Sequence, residues 1–529
     1  MMQKTWILFV TLAFLAVPLN GQAELLPNEA LVCPPDSPEL DRYGYLRAIS
    51  LDIRGVVPTV EEYNTLDQLD GVPDSMIDEW LASDEFAERA VRRHRALLWN
   101  NITNVNLMNA STSLTRTGGV GGIYWSRNRS TVFRGAVEMC LDEPVSYTVN
   151  GLISTKTATI DGKQVKQEGW IAVAPYWAPE TTIRVCAFDA QTLLVGPDGT
   201  VCGTRDSAKS NFCGCGPDMR WCKYGNTSKV TASFAVDLDR RVAQLIKEDR
   251  PYTDLFTENR MWVNGPIVYY LRYQSELYAN ARLVPHAIDI SALPDLAYTD
   301  IDTWVEIETP AHHAGILTSP AFLLRFQTNR ARSNRFFNAF LCQPFQPPSG
   351  GIPLGDGTTL QDADLQVRDG CKYCHAILEP ASSYWGRWTN NGAGYLNKTQ
   401  YTPYREDCHN CALTGLGCTA DCKQYYKLAA LSPKEKDYLG WLTAYEFRRP
   451  EHVVNVEFGP KLLGLSATVD HRMPTCVAHK TTEWLLGRNL TGIEGAWLDE
   501  LALDFVASGY RYRELIKAIV THPVYRRVR

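Results

Sequence analysis

The sequence predicts a mainly α, multidomain protein interrupted by a β-rich insertion, and three observations carry that reading. Apolar residues recur at helical spacing near both ends and in the middle of the 529 residues. Between about Thr112 and Thr231 the pattern changes to short β-branched and aromatic runs separated by Gly-containing turns. The chain is also longer than a single hydrophobic core usually grows, which makes several structural units the expectation. A hydrophobic fraction of 45%, a charged fraction of 21% and a net charge of −6 are ordinary for a globular protein and lend no support to a nucleic-acid binder.

Residues 1–23 read as an export signal. Lys4 precedes the twelve-residue apolar stretch from Trp6 to Val17, and a Gly-x-Ala site ends at Ala23. A bilayer span takes roughly 20 residues and no later apolar run reaches about 18, so no transmembrane segment is expected once the signal is cleaved. Residues 24–111 read as an N-terminal helical domain. "RYGYLRAISLDI" is a helix that breaks at Gly55 and Pro58, and Thr59 with Glu62 three residues later forms a capping box that opens the next. Ile77, Trp80 and Leu81 then share one apolar helix face, and Phe86, Ala90, His94, Leu97 and Leu98 another. His94 is a solvated or packed helix residue in this reading, since no possible co-ligand sits three or four residues away.

Residues 112–231 are the β-rich insertion. "TATIDGKQV", "GWIAVAPYW" and "TTIRVCAF" are strand-like, with turns at Asp161-Gly162 and Pro197-Asp198-Gly199. Its end holds Cys202, Cys213, Cys215 and Cys222, either a disulfide knot or a zinc site. Residues 232–345 form a second helical domain closing on a Pro-stopped helix pair in "HHAGILTSPAFLLRFQTNRARSNRFFNAFLCQPF". Residues 346–450 carry the chemistry-bearing motif and a Cys-rich loop, and residues 451–529 are a C-terminal helical domain.

The motif is Cys371-Lys372-Tyr373-Cys374-His375. Cys-x-x-Cys-His is the attachment signature of c-type haem: two thiols one helical turn apart add to the two vinyl groups, and the adjacent histidine falls beneath the iron. The expected cofactor is one covalent haem c, with Cys371 and Cys374 as attachment points and His375 as proximal ligand, which makes residues 346–450 a cytochrome c-like haem-bearing segment. A thioredoxin-like redox pair would want a βαβ setting, and a zinc site gives no reason for a histidine directly after the second thiol. Tyr384, Trp385 and Trp388 follow closely, either packing the porphyrin or serving as core aromatics. Pro380 is expected to end the motif helix at or before Glu379. For the sixth iron position Met473 ranks first and His409 second, ahead of His452, His471 and His479.

A second cluster, Cys408, Cys411, Cys418 and Cys422, is spaced x2, x6 and x3. Two disulfides bracing a loop are expected, with a four-thiolate zinc or iron–sulfur site as the alternative. The fifteen cysteines fit an oxidising compartment. With Cys371 and Cys374 set aside an odd number remains, so full pairing is impossible unless a metal takes some of them. No Ser–His–Asp set, phosphate loop or dinucleotide fingerprint finds its required context, and no catalytic residue is assigned.

Four stretches together resemble a group of large exported bacterial proteins, best known from planctomycetes and myxobacteria, that carry one cytochrome c-type motif. They are "LRAISLDIRGVVPTVEEY" with "IDEWLASDEFAERAVRRHRALLW", "DRPYTDLFTENRMWVNGPI", "HAGILTSPAFLL" through "CKYCHAILEP", and "CVAHKTTEWLLGR" through "AIVTHPVYR". The resemblance implies the same three haem-site residues but no distal ligand and no established reaction. Relatives usually carry Asp-Pro shortly after the histidine, where this chain has Glu379-Pro380. The function expected from motif and signal together is electron transfer in the periplasm or at the cell surface, with a redox partner protein. A haem oxidase or peroxidase with an open distal site is the alternative, as is a surface binding protein in which the haem is auxiliary.

Overall fold

The computed structural model describes residues 39–527 apart from short stretches, chiefly 118–123, 128–139, 278–287 and 346–349. The stretch expected to be an export signal and Cys33 lie outside the described residues. At the start of the described chain Asp41 accepts a hydrogen bond from the Gly44 amide and caps the helix Arg42–Ile53. Gly55, at φ +77°, takes the left-handed turn that ends this segment. The Thr59–Glu62 capping box is fully formed and opens the helix Val60–Asp67. Helices Asp74–Leu81 and Asp84–Leu98 follow, burying Ile77, Trp80 and Leu81 from one and Phe86, Ala90, His94 and Leu98 from the other. These are the faces the periodicity predicts.

The molecule is mainly helical with small sheets. The helical stretches before and after the insertion, and those at the C-terminus, bury into one common core that runs from Tyr45 to Tyr525. The helix Ser228–Lys247 lies along the helix Asp84–Leu98, with Phe234, Leu238, Val242 and Leu245 buried. The two ends meet: the Tyr45 hydroxyl donates to the Val520 carbonyl at 2.9 Å, and the Tyr525 hydroxyl to the Asp52 carboxylate at 2.5 Å. Burying these faces together removes far more apolar surface from water than three separate small cores could.

The insertion holds six described strands: β1 (Leu114–Thr117), β2 (Tyr124–Arg127), β3 (Lys156–Ile160), β4 (Lys163–Gln167), β5 (Trp170–Val173) and β6 (Ile183–Cys186). β3 and β4 form a hairpin whose turn, Asp161 and Gly162, has both residues at positive φ, the geometry that matches strand twist. The remaining four make a sheet in the order β1-β2-β6-β5, in which β2 and β6 run parallel. Arg127 on β2 and Asp189 just past β6 form a buried ion pair at 2.6 Å that joins these parallel strands. A further pair, β7 (Arg260–Val263) and β8 (Val305–Glu308), sits within the helical part.

Cysteines compensate for the insertion's small cores. Cys140–Cys186, Cys202–Cys213 and Cys215–Cys222 are disulfides, and their sulfurs are themselves members of the apolar clusters there. Cys342–Cys476 joins the middle of the chain to the C-terminal helices across 134 residues. Cys408–Cys422 and Cys411–Cys418 brace the Cys-rich loop. Among the described residues no helix is long and apolar enough to cross a membrane.

Two stability predictions follow from this packing. The chain-entropy relation gives the 134-residue loop closed by Cys342 and Cys476 about 5 kcal/mol of stabilisation as an upper bound. Replacing both with Ser should lower the thermal midpoint by several degrees, whereas removing Cys411 and Cys418, which close a loop of only 7 residues, should cost less. Calorimetry of the two variants compares them directly.

The second concerns acid. His94 is buried with Nδ1 2.7 Å from the Ala90 carbonyl and Nε2 2.8 Å from the Tyr252 hydroxyl, and burial pushes its imidazole down to about 4. The folded chain therefore keeps His94 neutral where the unfolded chain, near 6.5, takes up a proton. Its contribution is complete above about pH 6.5 and is lost as pH falls towards 4, about 3 kcal/mol in all. His312, also lowered to about 4 by burial, acts in the same direction. The thermal midpoint should fall between pH 7 and 4.5, and His94→Gln should make that fall shallower. An unchanged slope in the variant would remove His94 from the account.

Candidate functional site

The motif lies at the start of a helix, Lys372–Ser382, with Cys371 at its cap. Gly370 at φ +77° turns the chain into that helix, and the His375 amide donates to the Cys371 carbonyl at 3.0 Å to close the first turn. Asp369 is buried just before it, taking the Lys372 ammonium at 2.9 Å, while its own amide donates to the Thr359 hydroxyl. A carboxylate at this end of a helix also opposes the positive pole of the helix dipole. Cys371 and Cys374 thus stand one turn apart on one helix face. Among the described cysteines these two alone are free thiols, both partly exposed.

The helix does not stop before Pro380. It runs through that residue to Ser382 and continues as a 3-10 turn over Ser383–Trp385. Proline removes one donor, the one that would have met the Ala376 carbonyl, and Ala376 is exposed, where solvent can take the place of that donor. Ser382 and Ser383 hydroxyls meanwhile donate back to the Glu379 and Pro380 carbonyls.

This continuation keeps Glu379 on the same face as His375, one turn on. The carboxylate is buried and His375 Nδ1 lies 2.7 Å from Oε1. Arg330 Nε donates to the same oxygen at 2.6 Å, and Arg448 approaches Oε2 at 3.5 Å. Burial opposes ionisation of Glu379, but hydrogen bonds from Arg330 and His375 outweigh it and hold its pKa below the ordinary carboxylate value. An ionised carboxylate only accepts, so Nδ1 carries a proton, and in the neutral tautomer this selects Nε2 presents the lone pair. His375 is therefore set up as a ligand through Nε2, with a partner on its other nitrogen of the kind that orients metal-binding imidazoles.

Arg332, two residues along from Arg330, fixes what surrounds this group. It is wholly buried with no carboxylate partner among the described residues, and burial lowers its pKa to about 9. Its guanidinium donates to the carbonyls of Leu323, Phe326, Thr389 and Gly392, joining the helix Asn329–Phe340 to the loop after the motif helix. Exposed apolar side chains lie on the motif helix and the loop leading into it: Tyr373 and Ile377, with Ile352, Leu360 and Val367.

Several residues singled out by sequence lie elsewhere. Trp385 and Trp388 are core aromatics, with Trp385 donating to the Leu317 carbonyl at 2.9 Å and Trp388 edge-on to His313. Met473 is fully buried in the main core on the helix Arg472–Leu486. His409 holds the Leu439 carbonyl at 2.9 Å from Nδ1. His471 precedes the helix bearing Met473, and His479 lies 3.3 Å from Glu483. His452 has neighbours that touch the motif helix: Arg448 on Glu379, and Asn455, whose amide reaches the Pro380 carbonyl at 3.4 Å. Cys408, Cys411, Cys418 and Cys422 are spent on two disulfides. The Asp407 carboxylate lies 3.7 Å from the Cys422 sulfur, but a sulfur bonded to another sulfur is no thiolate and offers a metal little.

Glu379, Arg330 and Arg448 were not read as site residues from sequence. The His375–Glu379 spacing of four is a signal that helical pairing rules could have supplied. Arg330 reaches Glu379 from 49 residues away and leaves no local trace. No family model matches this sequence, and no curated protein or solved structure does either.

The free pair makes a direct prediction. In chain folded without haem, alkylation before any reduction should mark Cys371 and Cys374 and spare the cysteines of the six disulfides. Peptide mass spectrometry reads the outcome, and a mark on Cys408 or Cys422 would break the pairing scheme.

Proposed function

We propose that this chain is an exported monohaem c-type cytochrome that transfers electrons in the periplasm or at the cell surface. One observation carries the reading. In a chain whose other described cysteines are all paired, two thiols stay free one helical turn apart beside a histidine whose Nε2 is available. Cys371 and Cys374 would hold haem c by thioether bonds, and His375 would ligate its iron. The bound group supplies one-electron chemistry at iron. The resemblance to exported planctomycete and myxobacterial proteins with one such motif points the same way.

The chain's own residues have definable tasks. Glu379 fixes the His375 tautomer and ring orientation, and its charge raises the basicity of Nε2. Arg330 and Arg448 keep that carboxylate ionised and in place. The partly exposed thiols and the exposed side chains of Tyr373 and Ile377 put the motif at the surface, where a redox partner protein can approach. The same pair of residues favours a second reading. A carboxylate on the proximal imidazole strengthens electron donation to iron, which suits a haem enzyme with an open sixth position acting on peroxide or another small molecule.

The test is spectroscopic. Protein exported from a host competent in haem c maturation should give a c-type pyridine haemochrome at one haem per chain, lost in Cys374→Ala. No haem in the wild-type chain would end both readings. A low-spin ferric spectrum indifferent to cyanide would select electron transfer, and a large cyanide-induced change would select the enzyme.

Glu379→Gln should raise the reduction potential, because a neutral amide no longer favours the oxidised iron. A tenfold change in that preference corresponds to about 59 mV for one electron. Spectroelectrochemical titration measures the shift, and an unmoved or lowered potential would deny Glu379 this role.

A further inference from the structure

Next to the motif helix is a cavity of about 970 Å³, large enough for a sugar-sized ligand. It opens between two parts of the molecule. One wall comes from the main core, through Thr328–Arg330 and the stretch from Glu379 to Asn391. The other comes from the disulfide-braced segment, through the helix Ala420–Tyr425 and residues 442–448. Cys408–Cys422 anchors that helix, and Arg332 fixes the opposite wall through the Thr389 and Gly392 carbonyls. Both walls are therefore held in place before any ligand arrives.

The lining has a definite chemical character. Arg330, Lys423 and Arg448 bring three positive charges against the single carboxylate of Glu379. Arg330, which lines the cavity, engages Glu379 through Nε, and half of its side chain is exposed, so its guanidinium is not used up by that contact. Lys423 is exposed on the opposite wall. The excess charge calls for an anion, and the planar guanidinium suits a carboxylate. Amide and hydroxyl side chains, among them Gln424, Asn391 and Thr443, match the hydroxyls of a polyol. Trp388 and Tyr425 stand in the walls behind this lining, both buried.

We propose that this cavity is a binding site for a hydroxylated carboxylic acid of monosaccharide or disaccharide size, with Arg330 and Lys423 taking the carboxylate from opposite walls. The site does not depend on haem being attached. Neither charge nor hydroxyls suffices alone: a neutral sugar leaves two cations unmatched, and a bare carboxylate leaves most of the cavity wet.

The test is calorimetric titration of the folded full-length chain with D-glucuronate, glucose and acetate. Glucuronate should bind at least tenfold more tightly than either of the others, and Lys423→Gln should weaken it by about tenfold, or 1.4 kcal/mol. Lys423 is an exposed residue outside the Glu379 group, so the variant should keep the wild-type thermal midpoint. Arg330→Lys, which keeps the charge but loses the planar fork, should also weaken glucuronate binding. Absence of glucuronate binding, equal binding of glucose or of acetate, or an affinity unmoved by Lys423→Gln would each overturn the assignment.

Discussion

One buried carboxylate holds the candidate site together. Glu379 takes His375 from its own helix, Arg330 from a helix of the main core and Arg448 from the turn that leads into the Pro450–Val469 helix. Burying a carboxylate is costly, and the cost is met here by two guanidinium groups and an imidazole N–H. Losing the charge on Glu379 would leave two cations facing one another in a partly buried space, a penalty of several kcal/mol by analogy with broken buried pairs. That asymmetry ties the orientation of His375 to contacts between distant parts of the chain. The motif helix is held by its surroundings as much as by its own backbone.

The rest of the architecture serves this fixation. Arg387, buried after the motif helix, donates to the Tyr401 carbonyl, the Tyr445 hydroxyl and the Glu457 carboxylate, so that the main core and the smaller core around Leu396, Tyr425 and Leu442 share a polar seam. Glu457 also takes Lys398 at 2.8 Å. Although burial alone would raise the Glu457 pKa, its hydrogen bonds to Lys398, Tyr445 and Arg387 bring it down to about 2, so the seam stays charged at any physiological pH. The smaller core contains two cystine sulfurs, Cys408 and Cys422, among only nine buried residues. A core so small gains much of its rigidity from the covalent link, as small extracellular units generally do.

What the sequence disclosed and what it hid separate along physical lines. Local devices were legible: the Thr59–Glu62 capping box, the Asp161-Gly162 turn, and the helix faces of Ile77, Trp80 and Leu81 are each decided by residues within a turn or two. Two disulfides in the Cys-rich loop were expected from the compartment, beside a metal site as the alternative, but which cysteine meets which was not legible. Long-range pairings were not legible. Nothing in the order of residues announces that β2 and β6 run parallel, or that Arg332 donates to carbonyls of Thr389 and Gly392. Pro380 misled because the bias of a pre-proline residue away from helical backbone is a preference that packing overrode at Glu379, and the carbonyl left without its donor belongs to an exposed residue. The Glu379-Pro380 pair, which reads in sequence as a mild departure from Asp-Pro, supplies in the fold the carboxylate that reaches His375.

The placement of Glu379 also relates the two sites to each other. Its carboxylate lines the cavity on one side and holds His375 on the other, and Arg330 contributes to both. A carboxylate ligand drawn to Arg330 would compete with Glu379 for the same guanidinium. Glu379 would then lean more on His375, and the imidazole would carry more negative character at Nε2. Charge in the cavity and electron density at His375 would thereby be coupled through the two hydrogen bonds on Glu379. Such coupling is reciprocal in equilibrium terms: a ligand in the cavity that changes the affinity of His375 for its own partner would have its affinity changed by that partner by the same factor. A cavity beside the Cys371–His375 motif could be incidental if a rigid apolar wall stood between them. Here the wall is a shared carboxylate, and a shared carboxylate transmits charge.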